Sequence, residues 1–254
     1  MEPLRKPLQG VYNILRFNWH FYVLAAGLIL VLTLLNHLLP LAYHIVNVTI
    51  ISMVILATLI SLGVSWYIYD LSGLYMLNWL DEVTVSSNGK MININAGFDE
   101  TSTLLQQKYP DADIIAYDFY DPLKHTEVSI KRARKAYLPF EGTVRISTSA
   151  IPLPDNDIDC IFLIFSAHEI RNERERDIFF NELKRVLKPV GKIILMEHLR
   201  DTPNFLAYNW GVFHFISKSS WHKTVKNAGL NLCAEEKFTP FITKFILENN
   251  GDQY

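Results

Sequence analysis

The sequence predicts an α/β protein: a doubly wound, mostly parallel seven-stranded sheet preceded by two transmembrane α-helices. Two uncharged apolar stretches before residue 80 predict the helices. Strand-like and helix-like segments alternate from residue 90 onward, and two strand-like segments in direct succession close the chain. That order is the mark of a layered α/β sheet with a terminal hairpin.

Residues 21–39, "FYVLAAGLILVLTLLNHLL", and 45–69, "IVNVTIISMVILATLISLGVSWYIY", contain no Asp, Glu, Lys or Arg. A bilayer core of about 30 Å needs about 20 apolar helical residues, so spans are expected at about 20–39 and 45–69. A soluble core helix of the second segment's length would show a polar face, and this one has none. Trp19, Phe21 and Tyr22 sit at one border and Trp66, Tyr67 and Tyr69 at the other, where an interfacial belt belongs. Arg5, Lys6 and Arg16 precede the first span, while the connector "PLAYH" carries neither Lys nor Arg. The positive-inside rule therefore puts the N-terminus in the cytoplasm and returns the chain there. A cleaved signal is disfavoured by the length of the first run, the lack of an A-x-A site and the second span. "LSGLYMLNWLDEV" (71–83) reads either as a helix in the headgroup plane or as the first helix of the globular domain. The division expected is 1–83 for the membrane region and 84–254 for the α/β domain.

Strands are expected at 90–95, 112–118, 143–147, 159–167 and 192–197, with helices at 99–109, 126–137, 175–188 and 219–230 between or after them. The 159–167 run, "DCIFLIFSA", is apolar almost throughout, as a strand covered on both faces should be. Pro189 and Gly191 stop the helix before the fifth strand. "NLCAEEKFT" and "FITKFILE" form the closing hairpin. Cys160 and Cys233 fall in strand-like runs without CxxC spacing and read as buried thiols in a reducing compartment. A net charge of −2 gives no electrostatic case for nucleic acid as a partner.

With these strands placed, the pattern resembles the class I S-adenosylmethionine (SAM)-dependent methyltransferases, closest to the ubiquinone and menaquinone C-methyltransferase-like subgroup. The resemblance covers about residues 88–248. It rests on "MININAGFD" (91–99), on Asp118 at the end of the second strand, and on "IPLPDNDIDCIFLIFSAHEI…ELKRVLKPVGKIILME". The family's first loop, an acid followed by G-x-G-x-G, falls on Asn93, Asn95, Ala96, Gly97 and Asp99, so that only the middle glycine survives. What the resemblance implies is a SAM site made by Asn93, Asn95, Ala96, Gly97, Asp118, Phe119, Ser147, Thr148 and Ser166. Asp118 would take the ribose, and Ser147 stands where the family has an acid facing the adenine. An Asp99 carboxylate near the SAM carboxylate would be repulsive unless it caps the following helix. A dinucleotide oxidoreductase is the rival of similar architecture, but its G-x-G-x-x-G lets backbone approach a pyrophosphate, and a lone Gly97 does not supply that.

Chemistry in such a sheet belongs beyond the carboxyl ends of the strands. "SAHEIRNERER" follows the fourth strand and "MEHLRDTPNFLAYNWGVFHF" the fifth, offering His168, Glu169, His198 and Tyr208 as catalytic candidates. His titrates near neutrality and is a natural base; the bland reading is that His168 or Glu169 only caps the next helix. No metal is expected, because adjacent residues on a strand point to opposite faces, so each His–Glu pair supplies one ligand. The aromatic segment 204–215 is either a lid over a hydrophobic acceptor or a core helix, and "KRARK" (131–135) a solvated helix face or a headgroup contact. The leading expectation is a membrane-anchored SAM-dependent methyltransferase at the cytoplasmic face, with a small hydrophobic, lipid-like, quinone-like or polyketide-like acceptor. The alternative is a non-catalytic membrane protein that uses the same fold to bind SAM or a partner.

Overall fold

A computed structural model of the chain describes residues 5–84 and 87–249. The outermost residues of both expected domain ranges, 1–4 and 250–254, lie outside it. Two long helices come first, α1 (Gln9–Asn36) and α2 (His44–Trp66), both long and apolar enough to cross a membrane by length and composition. Leu24, Leu28, Leu30, Ile45, Val46 and Leu56 are among the apolar side chains they leave exposed. Near the connector, Asn47 Nδ2 donates to Leu32 O and Asn36 Oδ1 at 2.8 and 3.0 Å and fastens one helix to the other.

Helix α1 starts eleven or so residues before the expected first span and breaks from helical geometry at Asn18 (φ −114°, ψ 18°). Its first two turns lie on the α/β domain rather than in line with the apolar stretch. Helix α2 ends in one π turn, Tyr67–Leu71. Asp70 on that turn accepts from the Gly10 and Val11 backbone N–H groups, both at 2.9 Å, and so satisfies donors that α1 cannot pair internally. Segment 71–83 is not a helix of either expected kind. It forms two 3₁₀ turns, Leu74–Met76 and Asn78–Leu80, because Leu77 adopts a left-handed φ of 56° between them. Leu74, Leu77, Trp79 and Leu80 are buried against the sheet, so the segment belongs to the domain core and not to the headgroup plane.

The domain contains β1 (Lys90–Asn95), α3 (Ser102–Lys108), β2 (Asp113–Asp118), α4 (Val128–Ala136), β3 (Val144–Arg145) and β4 (Ile158–Ile164). It continues through α5 (Glu173–Val186), β5 (Leu187–His198), α6 (Thr202–Tyr208), α7 (Lys218–Asn227), β6 (Leu230–Thr239) and β7 (Ile242–Asn249). The sheet order is β3-β2-β1-β4-β5-β7-β6, parallel from β3 to β5, with β7 antiparallel to β5 and to β6. The strand order reverses between β1 and β4, so a crevice opens beyond their carboxyl ends. Strand alternation sorts the core into two layers. Ile92, Ile161, Leu163 and Ile193 face Phe179, Phe180 and Trp221 of α5 and α7, while Met91, Cys160, Phe162 and Ile194 face Leu74, Trp79 and Leu105.

Several boundaries differ from expectation for local reasons. Helix α5 ends at Val186, and Pro189 and Gly191 lie within the lengthened β5 instead of between elements. Helix α7 stops at Asn227, with Gly229 at φ 63° just beyond it. Strand β3 keeps only two residues. Cys160 is buried, but Cys233 is exposed on β6, the terminal strand of the sheet, where there is no neighbour to cover it.

Candidate functional site

Beyond β1, the first loop is held by its own polar side chains. Asn93 Nδ2 donates to Thr101 Oγ1 and Ser102 Oγ at 2.9 and 2.8 Å, and Asn95 Oδ1 accepts from Gly97 N at 2.7 Å. Asp99 Oδ1 accepts from the backbone N–H groups of Thr101 and Ser102 at 3.0 and 2.9 Å, which turns its charge onto the start of α3. The side chains that replace glycines therefore stiffen the loop. Ala96 is buried, and Gly97 takes φ 88°, a conformation that suits glycine.

Asp118 ends β2 with its carboxylate buried. Oδ1 accepts from Tyr120 N at 2.8 Å and Oδ2 from Arg134 Nη1 at 2.7 Å. Arg134 also lies over the Tyr120 ring, and a β-carbon at Gly97 would stand 1.5 Å from its Nη1. The guanidinium thus rests on bare Gly97 backbone beside a buried carboxylate and an aromatic face. That combination suits a ribose and its base: a hydroxyl acceptor, no β-carbon in the way, and a ring to stack on. The residues fit SAM provided Arg134, the movable part, gives up its place. Among them the aromatic is Tyr120, because Phe119 is buried in the core. Ser147 is exposed and paired with Ser149 Oγ, Thr148 donates to Glu175 Oε1, and Ser166 donates to Ile94 O. Ser147 is thus engaged in its own turn, Thr148 by α5 and Ser166 by β1, and the three line neither this niche nor the larger cavity beside it.

"KRARK" is therefore not a plain solvated face. Besides Arg134 on Asp118, Arg132 Nη1 donates to Phe17 O at 2.5 Å, meets His20 Nδ1 at 2.8 Å and lies over the Trp19 ring. Helix α4 in this way anchors α1 close to its break at Asn18.

A cavity of about 870 Å³ runs from the apolar helices to the strand ends. Ala25, Val54, Ala57 and Thr58 line one end, and Asn93, His168, Glu169 and His198 line the other. His168 and Glu169 sit on a 3₁₀ turn, Ala167–Glu169, instead of on the strand, so both reach the same cavity, contrary to the alternation expected of strand neighbours. His168 Nδ1 donates to Glu197 Oε2 at 2.6 Å, and Glu197 is fully buried. Burial opposes charge on His168, but the Glu197 carboxylate and its hydrogen bond outweigh it and raise the ring to about 9. Glu169 is buried too, and its Oε2 has no partner among the described residues.

His198 has the opposite character, since burial lowers it to about 4 and keeps the ring neutral. Its Nδ1 lies 3.1 Å from Phe241 O and 3.2 Å from Asn204 Oδ1, both acceptors, so that nitrogen carries the proton. Nε2 then accepts from the Tyr69 hydroxyl at 2.9 Å. His198 is a support for Tyr69. Tyr208 lines the cavity beside Ser65 and His198, and burial raises its phenol. Residues 209–214 form a 3₁₀ stretch that leaves Trp210 and Phe213 exposed, and the same stretch brings His214 to His168 with ring centroids 4.8 Å apart.

Sequence reasoning missed Tyr69, Tyr120, Arg134 and Glu100. Glu100 accepts from Arg5 Nη1 at 2.6 Å, Tyr75 Oη at 2.7 Å and Asn13 Nδ2 at 3.2 Å, which clasps the N-terminal region over the first loop. Its one signal in the sequence is an acid directly after the loop, in a chain with basic residues before the first apolar run.

Residues 93–195 match the methyltransferase domain family. A ubiquinone/menaquinone biosynthesis C-methyltransferase of Hahella chejuensis is 31% identical over 72 residues, 28% of each chain. The protein of that description from Syntrophotalea carbinolica is 25% identical over 129 residues, 50% of this chain and 51% of its own. The chain spans about half the length of these curated relatives, or less. The crystal structure of a SAM-dependent methyltransferase from Aquifex aeolicus shares the fold, with a TM-score of 0.50 and 18% identity over 72% of this chain and 95% of that one. The chain carries a class I SAM-dependent methyltransferase domain, and the cofactor of such a domain is S-adenosylmethionine.

Proposed function

We propose that this methyltransferase domain is anchored in the membrane by the apolar helices α1 and α2 and methylates a lipid-like acceptor, quinone-like or polyketide-like, at the cytoplasmic face. The observation that carries the reading is the cavity, which joins Ala25 and Ala57 of the apolar helices to His168 and Glu169 at the strand ends. A water-soluble acceptor has no use for a binding site whose far wall is made of membrane-spanning helices. An acceptor with an apolar tail gains a continuous path from the bilayer to the reacting end, and the names of the matched quinone-biosynthesis relatives point the same way.

SAM supplies an electrophilic methyl group when bound. Asp118, with Gly97 and Tyr120, would hold its ribose and base. Asn93, Asn95 and Ala96 shape the loop beneath it, and Phe119, Thr148 and Ser166 support the niche from the core side. Glu169, whose Oε2 has no partner among the described residues, would take the acceptor's proton, and His168, held protonated by Glu197, would donate a hydrogen bond to the acceptor. His198 and Tyr208 position the acceptor, His198 through Tyr69. Residues 5–22 and 204–215 cover the cavity and exclude water.

The test is transfer of label from methyl-labelled SAM by the full chain, reconstituted in vesicles with a total membrane lipid extract. Label is expected in the organic-soluble fraction. Tight SAM binding without transfer to any lipid would instead favour a SAM-binding or scaffold protein.

A further inference from the structure

From the side chains at the polar end of the cavity we infer a binding site for one divalent first-row transition metal of the zinc class, made by His168, Glu169 and His214. The distances bring three donors of the right kind together. Glu169 Oε1 lies 3.6 Å from His168 Nε2 and 3.8 Å from His214 Nε2, and the three ligand atoms all fall within 4.8 Å of one another. Tetrahedral ligation at about 2.1 Å sets neighbouring donors about 3.4 Å apart, so small side-chain rotations close the set. Two imidazole nitrogens and one carboxylate oxygen suit zinc and its neighbours, whereas magnesium and calcium prefer all-oxygen cages. The fourth position opens into the cavity.

Two further observations point to the same ligand. Each imidazole has a carboxylate behind its far nitrogen: Glu197 Oε2 at 2.6 Å from His168 Nδ1, and Glu127 Oε1 at 3.6 Å from His214 Nδ1. For His168 the hydrogen bond fixes the tautomer which leaves Nε2 free to ligate; His214 reaches the same state once Arg171 leaves its Nδ1 and Glu127 closes onto it. Glu169 is 5% exposed, and its Oε2 has no hydrogen-bond partner among the described residues. A buried carboxylate in that condition calls for a cation. One neighbour must shift. Arg171 Nη2 lies against His214 Nδ1 while also donating to Glu127 at 2.5 Å, and in the metal-bound state it keeps only Glu127. Its side chain is half exposed and free to do so. A metal there would hold an acceptor oxygen in its ionised form, but the site stands whether or not the acceptor is a lipid.

The experiment uses the full chain in detergent, stripped with a chelator and titrated with cobalt(II), whose visible d–d bands report tetrahedral ligation. One equivalent is expected to bind, to raise the thermal midpoint, and to be displaced by zinc but not by magnesium. His214→Ala and the near-isosteric Glu169→Gln should each weaken binding by tenfold or more. Glu197→Gln, which only loosens His168, should cost about tenfold. Absence of a cobalt band and of retained zinc in the wild-type chain would overturn the inference. So would binding that is unchanged in both His214→Ala and Glu169→Gln, because the metal would then sit elsewhere.

Discussion

Asp118 shows how one side chain can serve two competing partners. Its carboxylate is buried and held by the Arg134 guanidinium, and in the proposed SAM site the ribose hydroxyls would compete for the same oxygens. Charge-assisted hydrogen bonds of this kind are each worth about 1.5–3 kcal/mol, or about tenfold or more in affinity. Asp118→Ala should weaken SAM binding about tenfold or more without unfolding the domain, as read by calorimetry. Arg134→Ala should do the reverse and tighten it by about tenfold, because the cofactor no longer displaces an ion pair. In the Asp118→Ala background the gain from Arg134→Ala should vanish, since the contested carboxylate is gone. If Arg134→Ala weakens SAM instead, the arginine is a cofactor ligand. The aspartate was legible in the sequence because it ends an apolar strand 21 positions after Gly97. Arg134 was not, because a basic run on a short helix looks the same whether it faces water or a carboxylate sixteen positions earlier.

Among the elements, the contact between α1 and the turn that ends α2 decides whether the cavity has a wall. A β-carbon at Gly10 would come within 2.3 Å of Tyr69 Cβ and 3.0 Å of the Tyr69 backbone. Gly10→Val should therefore push α1 off the turn and cost about 1–3 kcal/mol, seen as a lower unfolding midpoint in detergent. Tyr69→Phe is the milder probe of the same junction. It leaves the neutral, buried His198 Nε2 without its donor, at a cost of about 1–3 kcal/mol for an unsatisfied buried group. An unchanged midpoint in both variants would mean that the junction does not contribute to the fold. Strand and helix order was readable because apolar period and turn residues are local signals. The docking of residues 5–22 and 67–83 was not, because Gly10 meets Asp70, Asn13 meets Glu100 and Tyr69 meets His198 only across 60 or more positions. The aromatic border that suggested a membrane interface also supplies Tyr69 to the site. The reading of 71–83 failed at one residue, Leu77, whose left-handed conformation has no mark in its side chain.

At the scale of the whole molecule, one cavity is lined both by the apolar helices and by the strand ends, and the proposed orientation and use can be tested separately. If residues 1–18 and 80–254 share the cytoplasmic side, a reporter active only outside the cytoplasm should be silent when fused after Tyr254, and activity there would overturn the orientation. The stronger test separates an anchor from a conduit. Ala57 of α2 lines the end of the cavity made by the apolar helices, away from Asp118 and Gly97. An indole at that position fills the path with a rigid apolar group yet keeps the helix as hydrophobic as before. Ala57→Trp should leave SAM affinity and membrane insertion unchanged while lowering turnover on a vesicle-embedded acceptor by tenfold or more. A truncated acceptor that lacks the apolar tail should be methylated equally well, or equally poorly, by both proteins, because it never occupies the blocked end. Equal turnover of the full-length acceptor by the two proteins would mean that it arrives by another route, and the hairpin would then serve only to hold the enzyme at the surface.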